Sequence, residues 1–305
     1  IRKRKYSVKK NIHGRREVLK KLSLGGLALT GVGKLSAFNN DSEESLAWKG
    51  NIRHSVCQWC VSFLTIEEMA LWIKSIGVGA IDLISPKDWN ILKKYNLECS
   101  MCYIDGKVSL TEGWAQRENH ARLVEDYIKS IPMVKDAGYT NLICFSGNRK
   151  GMDDETGLKN CEEGLKKIMS LAEKNNVIIQ MELLNSKVDH HDYMADKTAW
   201  GVELCKRIGS PNFKLLYDIY HMQVDEGDVI HTIRDNHQYI GHYHTAGVPG
   251  RNEIDDTQEL YYPAIMKAIV ETGFKGYVAQ EFISKGKEKD EKLQAFKRGI
   301  EICDV

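Results

Sequence analysis

The chain has 305 residues, 42% of them apolar and 28% charged, with a formal net charge of +1. That length builds one large domain, or two small ones, around a sizeable core. A balance this close to neutral carries no polyelectrolyte signal, so nucleic acid and acidic membrane surfaces are set aside as partners of the chain as a whole.

The basic residues crowd the start of the chain. Ile1 to Lys21 holds ten Lys and Arg residues against one acid, Glu17. The run LSLGGLALTGVGKLSAF at 22–38 follows; it is apolar, but short, Gly-rich and interrupted by Lys34. A spanning helix needs roughly 20 apolar residues. A basic region, a short apolar region and the small pair Ser36-Ala37 instead read as an export signal over residues 1–38. Arg15-Arg16 followed by Glu-Val-Leu-Lys resembles the twin-arginine motif, whose substrates cross the membrane already folded. The expected location is the periplasm, with no stable membrane anchor after processing. A cytoplasmic protein with a basic amphipathic arm is the alternative. Residues 39–50, with Asp41, Glu43 and Glu44, read as a linker to a domain at 51–305.

From residue 51 strand-like and helix-like runs alternate. Strands are expected at 51–58, 79–84, 97–104, 141–146, 176–183, 213–218, 239–245 and 276–282, rich in Ile, Val, Leu, Tyr and Phe. Several lack polar alternation, as parallel strands covered on both faces do. Between them, TIEEMALWIKSIG opens with the capping-box spacing Thr65 to Glu68. AQRENHARLVEDYIKSIPMVKDAG, GLKNCEEGLKKIMSLAEKN, KTAWGVELCKRIG and YYPAIMKAIVETG have helical periodicity, and Pro132 is expected to bend or break the first of these four. Eight strands and about eight helices in about 255 residues match a single-domain (β/α)8 TIM barrel. A doubly wound open sheet is the rival, but no GxGxxG follows the first strand.

Eight cysteines include two CxxC pairs, Cys57/Cys60 and Cys99/Cys102. Both pairs fall in strand-like runs, where positions i and i+3 face opposite ways, so buried free thiols are expected rather than a zinc knuckle.

The chemistry gathers in the second half. The fifth to eighth strands end at Glu182, Asp218, His244 and Glu281, separated by 36, 26 and 37 residues. In a βα barrel the strand carboxyl ends form the active site, so all four side chains face one pocket. Three carboxylates and an imidazole are a mostly hard ligand set, suited to one divalent ion: Mn²⁺, Mg²⁺ or Co²⁺, with Zn²⁺ admitted by the nitrogen. His221, three residues after Asp218, is placed to reach the pocket rim or to support a ligand. Asp225, Glu226 and Asp228 are expected in a solvated acidic turn.

The segments MELLNSK, YDIYHMQ, GHYHTAGVPGRNE and AQEF resemble the hydroxypyruvate isomerase family, within the xylose isomerase-like TIM-barrel group. The resemblance covers about residues 51–302, and YDIYHMQ and PGRNE are its specific parts. It implies that Glu182, Asp218, His244 and Glu281 hold the metal and that Glu182 and Glu281 are the acid/base pair. The implied reaction is isomerisation of a small hydroxy-carbonyl compound, hydroxypyruvate to tartronate semialdehyde in type, through an enediolate. It needs a base, an acid and a cation for the developing oxyanion. Arg251, after Gly250, is a candidate to hold a substrate carboxylate or hydroxyl, and Lys187 a weaker one.

The chain departs from the family at His244, where many members carry Gln; His resembles the ketose 3-epimerase branch. After PGRNE it continues Ile254-Asp255-Asp256 rather than with the family's Pro and Gly-Glu-Ile-like turn. A sugar 3-epimerase or polyol dehydratase on the same site is therefore the alternative. A decayed binding protein is disfavoured by the complete ligand set, and a repair endonuclease by the near-neutral charge. A small molecule is the expected partner, and a homo-oligomer stays open.

Overall fold

Along residues 48–305, the part described by the computed structural model, eight parallel strands alternate with helices. The expected export signal at 1–38 and residues 39–47 of the expected linker at 39–50 lie outside the described residues. The strands are β1 Arg53–Cys57, β2 Ala80–Asp82, β3 Glu98–Cys99, β4 Asn141–Cys144, β5 Ile178–Glu182, β6 Phe213–Asp218, β7 Ile240–Thr245 and β8 Tyr277–Gln280. Each lies inside a strand-like run of the sequence.

They form one sheet in the order β3-β2-β1-β8-β7-β6-β5-β4. Cys102 bridges the remaining gap. It pairs in parallel with Ile84 on one side and Leu142 on the other. Its N–H donates to Asn141 O at 2.9 Å, and its carbonyl accepts from Ile143 N at 3.1 Å. The Asn141 side chain adds a bond to Ser100 O at 2.8 Å. The barrel is thus drawn shut at its weakest ladder by a narrow seam.

The helices of the described residues are α1 Ile66–Ser75, α2 Trp89–Lys94, α3 His120–Asp136, α4 Asp154–Asn175, α5 Thr198–Ile208, α6 Ile219–Asp225, α7 Val229–Asn236, α8 Tyr262–Glu271 and α9 Lys289–Cys303. The capping box at Thr65 and Glu68 is present, a device worth about 1 kcal/mol. Pro132 does not break α3, which is helical on both sides of it. Proline removes the bond to the carbonyl four residues back, here that of Ile128. Ile128 is half exposed, so water can take that carbonyl.

All the cysteines are unpaired, seven of them buried and Cys60 half-buried. Cys57 ends β1, and Cys60 lies in the helical turn Gln58–Val61 that follows it.

Two features of the sheet aim the pocket. A register shift at Leu215/Leu216 in the β6–β7 ladder brings Asp218 opposite His244. His242 and His244, two apart on β7, share one face. Both are fully buried, inside the barrel rather than under its helices.

Candidate active site

Glu182 and Asp218 are the last residues of β5 and β6, His244 is the penultimate residue of β7, and Glu281 follows β8. Their ligating atoms all lie within 4.8 Å of one another, and all four residues are buried. His244 Nδ1 is the hub. It lies 2.6 Å from Glu281 Oε2 and 3.2 Å from Glu182 Oε1.

Asp218 does two jobs. Its Oδ1 caps α6 by accepting from Tyr220 N at 2.8 Å and His221 N at 3.3 Å. Its Oδ2 accepts from Arg251 Nη2 at 2.9 Å. The same nitrogen contacts Glu281 Oε2. The loop carrying Arg251 is tightly folded. Gly247 N donates to Asn252 O at 2.8 Å, and a Cβ on Gly247 would meet Glu253 O at 2.3 Å. Arg251 itself has φ +56°, a conformation a non-glycine residue keeps only where its surroundings hold it.

The electrostatics separate the two glutamates. Burial, and then the Glu281 charge, push Glu182 up to about 7. Burial also works against Glu281, but His244 and Arg251 outweigh it and hold that group at about 2. Asp218 is raised by burial to about 6, with Arg251 opposing. Three buried carboxylates thus share one guanidinium and one imidazole, and the cluster remains short of positive charge. His244 opposes its own desolvation through Glu281 and is raised well above the ordinary imidazole value.

This donor set fits a divalent ion. Ligand atoms within 4.8 Å of one another can all reach a central cation at the ordinary metal–oxygen and metal–nitrogen distances of about 2.0–2.4 Å. An ion there would supply the charge whose shortage raises Glu182 and Asp218.

His221 and Arg251 both line the pocket. His221 is buried, and burial and Arg251 lower it well below the ordinary value, so it is neutral. A neutral imidazole has one lone pair. Asn185 Nδ2 approaches His221 Nδ1 at 2.6 Å, and Arg251 Nη1 approaches Nε2. Only one of those approaches can be a hydrogen bond to the ring, and Asn185 Nδ2 also donates to Asp189 Oδ2 at 2.6 Å.

Lys187 is not brought to the pocket. Its amine donates to Val224 O at 3.2 Å on the exposed surface, because the turn after β5 carries it past the rim. Of the acidic turn, Asp225 is not a solvated charge: its side chain is buried, accepts from Ser186 N at 2.9 Å and pairs with Lys197. Glu226 and Asp228 are exposed as expected, though Glu226 also accepts from Thr198 N at 2.9 Å and from its hydroxyl.

Other pocket residues carry no mark in the sequence. Trp59 Nε1 donates to Glu281 Oε1 at 2.7 Å, and its position just beyond β1 is the one signal that could have found it. Tyr103 and Phe145, past the ends of β3 and β4, form walls with Leu184. The cavity measures about 340 Å³. Asp82, the last residue of β2, lies beneath it.

Comparisons with known proteins agree with this geometry. The chain matches the family described as "Xylose isomerase-like TIM barrel" over residues 87–303. It is 32% identical to a 2-oxo-tetronate isomerase of Cupriavidus necator over 120 residues, 39% of this chain and 45% of that one. It is 27% identical to a putative hydroxypyruvate isomerase of Homo sapiens over 124 residues, 41% and 45% of the two chains. The chain thus spans about half the length of these curated relatives. In fold it resembles D-psicose 3-epimerase from Clostridium cellulolyticum H10, with TM-score 0.69 and 14% identity over 83% of this chain and 98% of that one. With the matched segment covering most of the barrel and the strand-end cluster, the chain belongs to the xylose isomerase-like TIM barrel family.

Proposed function

We propose that this protein is a divalent-metal-dependent isomerase of a small hydroxy-carbonyl compound, of the hydroxypyruvate to tartronate semialdehyde type. The observation that carries the reading is the pair Glu182 and Glu281. They meet at one imidazole nitrogen, yet one is pushed up to about 7 and the other held at about 2. Two buried carboxyls this close, at a donor set that a cation would complete, supply the two proton-transfer groups the isomerisation needs.

Glu281 takes the proton from the hydroxyl-bearing carbon and returns it to the adjacent carbon, while Glu182, ionised once a cation is bound, carries the hydroxyl proton to the neighbouring carbonyl oxygen, so both groups end as they began. Trp59 keeps Glu281 oriented through its indole N–H. A divalent ion held by Glu182, Asp218, His244 and Glu281 would stabilise the negative charge that develops on the substrate oxygen. Mn²⁺, Mg²⁺ and Co²⁺ suit this set best, with Zn²⁺ admitted by the nitrogen.

Arg251 is the group for a substrate carboxylate. It is tied to Asp218 and Glu281, and its contact with neutral His221 competes with Asn185. A cation compensating those carboxylates would free the guanidinium to meet a substrate carboxylate in the cavity. The names of the two curated relatives, both isomerases of hydroxy-keto acids, support this orientation.

A second reading has its own observation. A cavity of about 340 Å³ walled by Trp59, Tyr103, Phe145 and Leu184 is roomier than a three-carbon acid needs. That favours 3-epimerisation of a neutral ketose, or dehydration of a polyol, by the same two glutamates. Incubating the protein and Mn²⁺ in deuterated water with hydroxypyruvate, tartronate semialdehyde and common ketoses separates the two readings. Deuterium entering the keto acids alone supports the first, and deuterium in ketoses alone the second. No exchange into any of them sinks both.

The same proposal places the enzyme outside the cytoplasm, on the strength of Arg15-Arg16 and the apolar run after them. Unchanged export of an R15K/R16K variant would remove the twin-arginine part.

A further inference from the structure

We propose that Asp82 is the positioning residue for His244: its carboxylate fixes the imidazole tautomer that turns the Nδ1 lone pair toward Glu182, Asp218 and Glu281. The inference rests on the reading of those four residues as a metal site.

Asp82 ends β2, across the barrel from β7, and is fully buried. Among the described residues no Lys or Arg pairs with it; its charged contacts are the two histidines of β7. Oδ1 lies 3.0 Å from His244 Nε2 and accepts from Cys57 Sγ at 3.4 Å. Oδ2 accepts from Ser100 Oγ, which also reaches Ser55 Oγ at 2.9 Å. His242 Nε2 stands 3.0 Å from Oδ2 but out of hydrogen-bond alignment, so both of its ring nitrogens lack a partner. That contact is electrostatic only.

A buried carboxylate with no cationic side chain of fixed charge is costly, and it needs compensation from the groups around it. An ionised carboxylate only accepts. The nitrogen facing it, His244 Nε2, must therefore carry a proton. Nδ1 faces the ionised Glu281 and carries a proton as well in this structure; a cation in the site would displace that proton, and with Nε2 keeping its own the lone pair of the neutral ring would lie on Nδ1. Ring orientation and tautomer are set by one contact from the opposite half of the barrel. The negative charge behind the ring also makes Nδ1 a stronger donor to a cation.

The rival is a second cation lodged between Asp82, His242 and His244, whose ligand atoms also lie within 4.8 Å of one another. The aligned contact from His244 Nε2 to Asp82 favours a proton there instead.

The test compares wild type, D82N and D82A, each checked for fold by circular dichroism. Mn²⁺ affinity and stoichiometry are measured by calorimetry and metal analysis. The His244 tautomer is read by ¹⁵N-histidine NMR of the Zn²⁺-loaded protein, its signal identified by loss in H244Q. Wild type should bind one Mn²⁺ per chain and show the Nε2–H tautomer. D82A should bind Mn²⁺ about 10- to 100-fold more weakly and lose the single tautomer. D82N keeps an acceptor oxygen but not the charge, so it should keep the tautomer and still lose affinity. If D82A does not fold, D82N decides: Mn²⁺ affinity equal to wild type overturns the proposal. Two ions per wild-type chain, one of them lost in D82N, would make Asp82 a ligand and overturn it too. A wild type that binds no divalent ion removes the metal site itself, which is distinguishable from variants that bind as wild type does.

Discussion

The two halves of the barrel are built differently. β5 to β8 are five, six, six and four residues long and pair in sequence, with one register shift between β6 and β7. All four candidate ligands stand at their ends. In the other half β2 and β3 shrink to three and two residues, and the seam to β4 depends on Cys102. That half supplies Trp59, Tyr103 and Phe145 as walls and one charge, Asp82. Ligands must converge within tenths of an ångström and need a rigid frame. Walls need only exclude water and fit a substrate, so the looser half can carry them.

If the chemistry lives in the C-terminal half, the largest effects follow from its two glutamates. E182Q and E281Q are each expected to lower turnover by about 10²–10⁴-fold, with circular dichroism unchanged. Normal initial rates in either variant would break the assignment.

Metal removal comes next. At 100 times its Kd, an ion that binds only the folded protein stabilises it by about 2.7 kcal/mol. In a chain this large that raises Tm by roughly 4–5 °C. A chelator should take that increment away, as scanning calorimetry would register.

The effect should depend on pH with a defined sign. Glu182, at about 7, and Asp218, at about 6, are raised above their ordinary values. Their contribution to the metal-free protein is full below the ordinary carboxyl range and is lost as pH rises through about 6–7. Glu281, held at about 2, works oppositely: its contribution is present above that range and is lost only as pH falls toward 2. Mn²⁺ needs the ionised carboxylates, so its affinity should climb between pH 5 and 8. A flat calorimetric titration across that span would contradict the shifts.

The N-terminal half should respond in stability rather than chemistry. N141A removes the bond to Ser100 O and the acceptor of Gln180 Nε2. A cost of about 1–3 kcal/mol in denaturant unfolding is expected, with Mn²⁺ affinity kept. An equal loss of affinity would show that the seam belongs to the site. Smallest of all, K187A should stay within about 0.5 kcal/mol of wild type and leave rates untouched, because its amine reaches only Val224 O.

The same contrast governs what could be read from the chain. Runs such as FKLLYD and YIGHYHT are long enough to show strand composition, and their final residues are ligand types, so Asp218 and His244 stood out. AIDLI is too short to announce that its Asp82 lies under a histidine 162 positions later. Trp59 and Tyr103 are pocket walls only because of where β1 and β3 end. Lys187 looked eligible by its distance from β5, but a turn of backbone decides where a long side chain goes. Asp225 looked solvated because its hydrogen bond from Ser186 N, 39 positions away, is a long-range fact.

The central claim is that four strand ends form one cation site. Anomalous diffraction from a Mn²⁺-soaked crystal addresses it without recourse to activity. The expected result is one manganese peak per chain, bounded by Glu182, Asp218, His244 Nδ1 and Glu281. No peak there, or manganese held elsewhere while Arg251 still bridges Asp218 and Glu281, would contradict it.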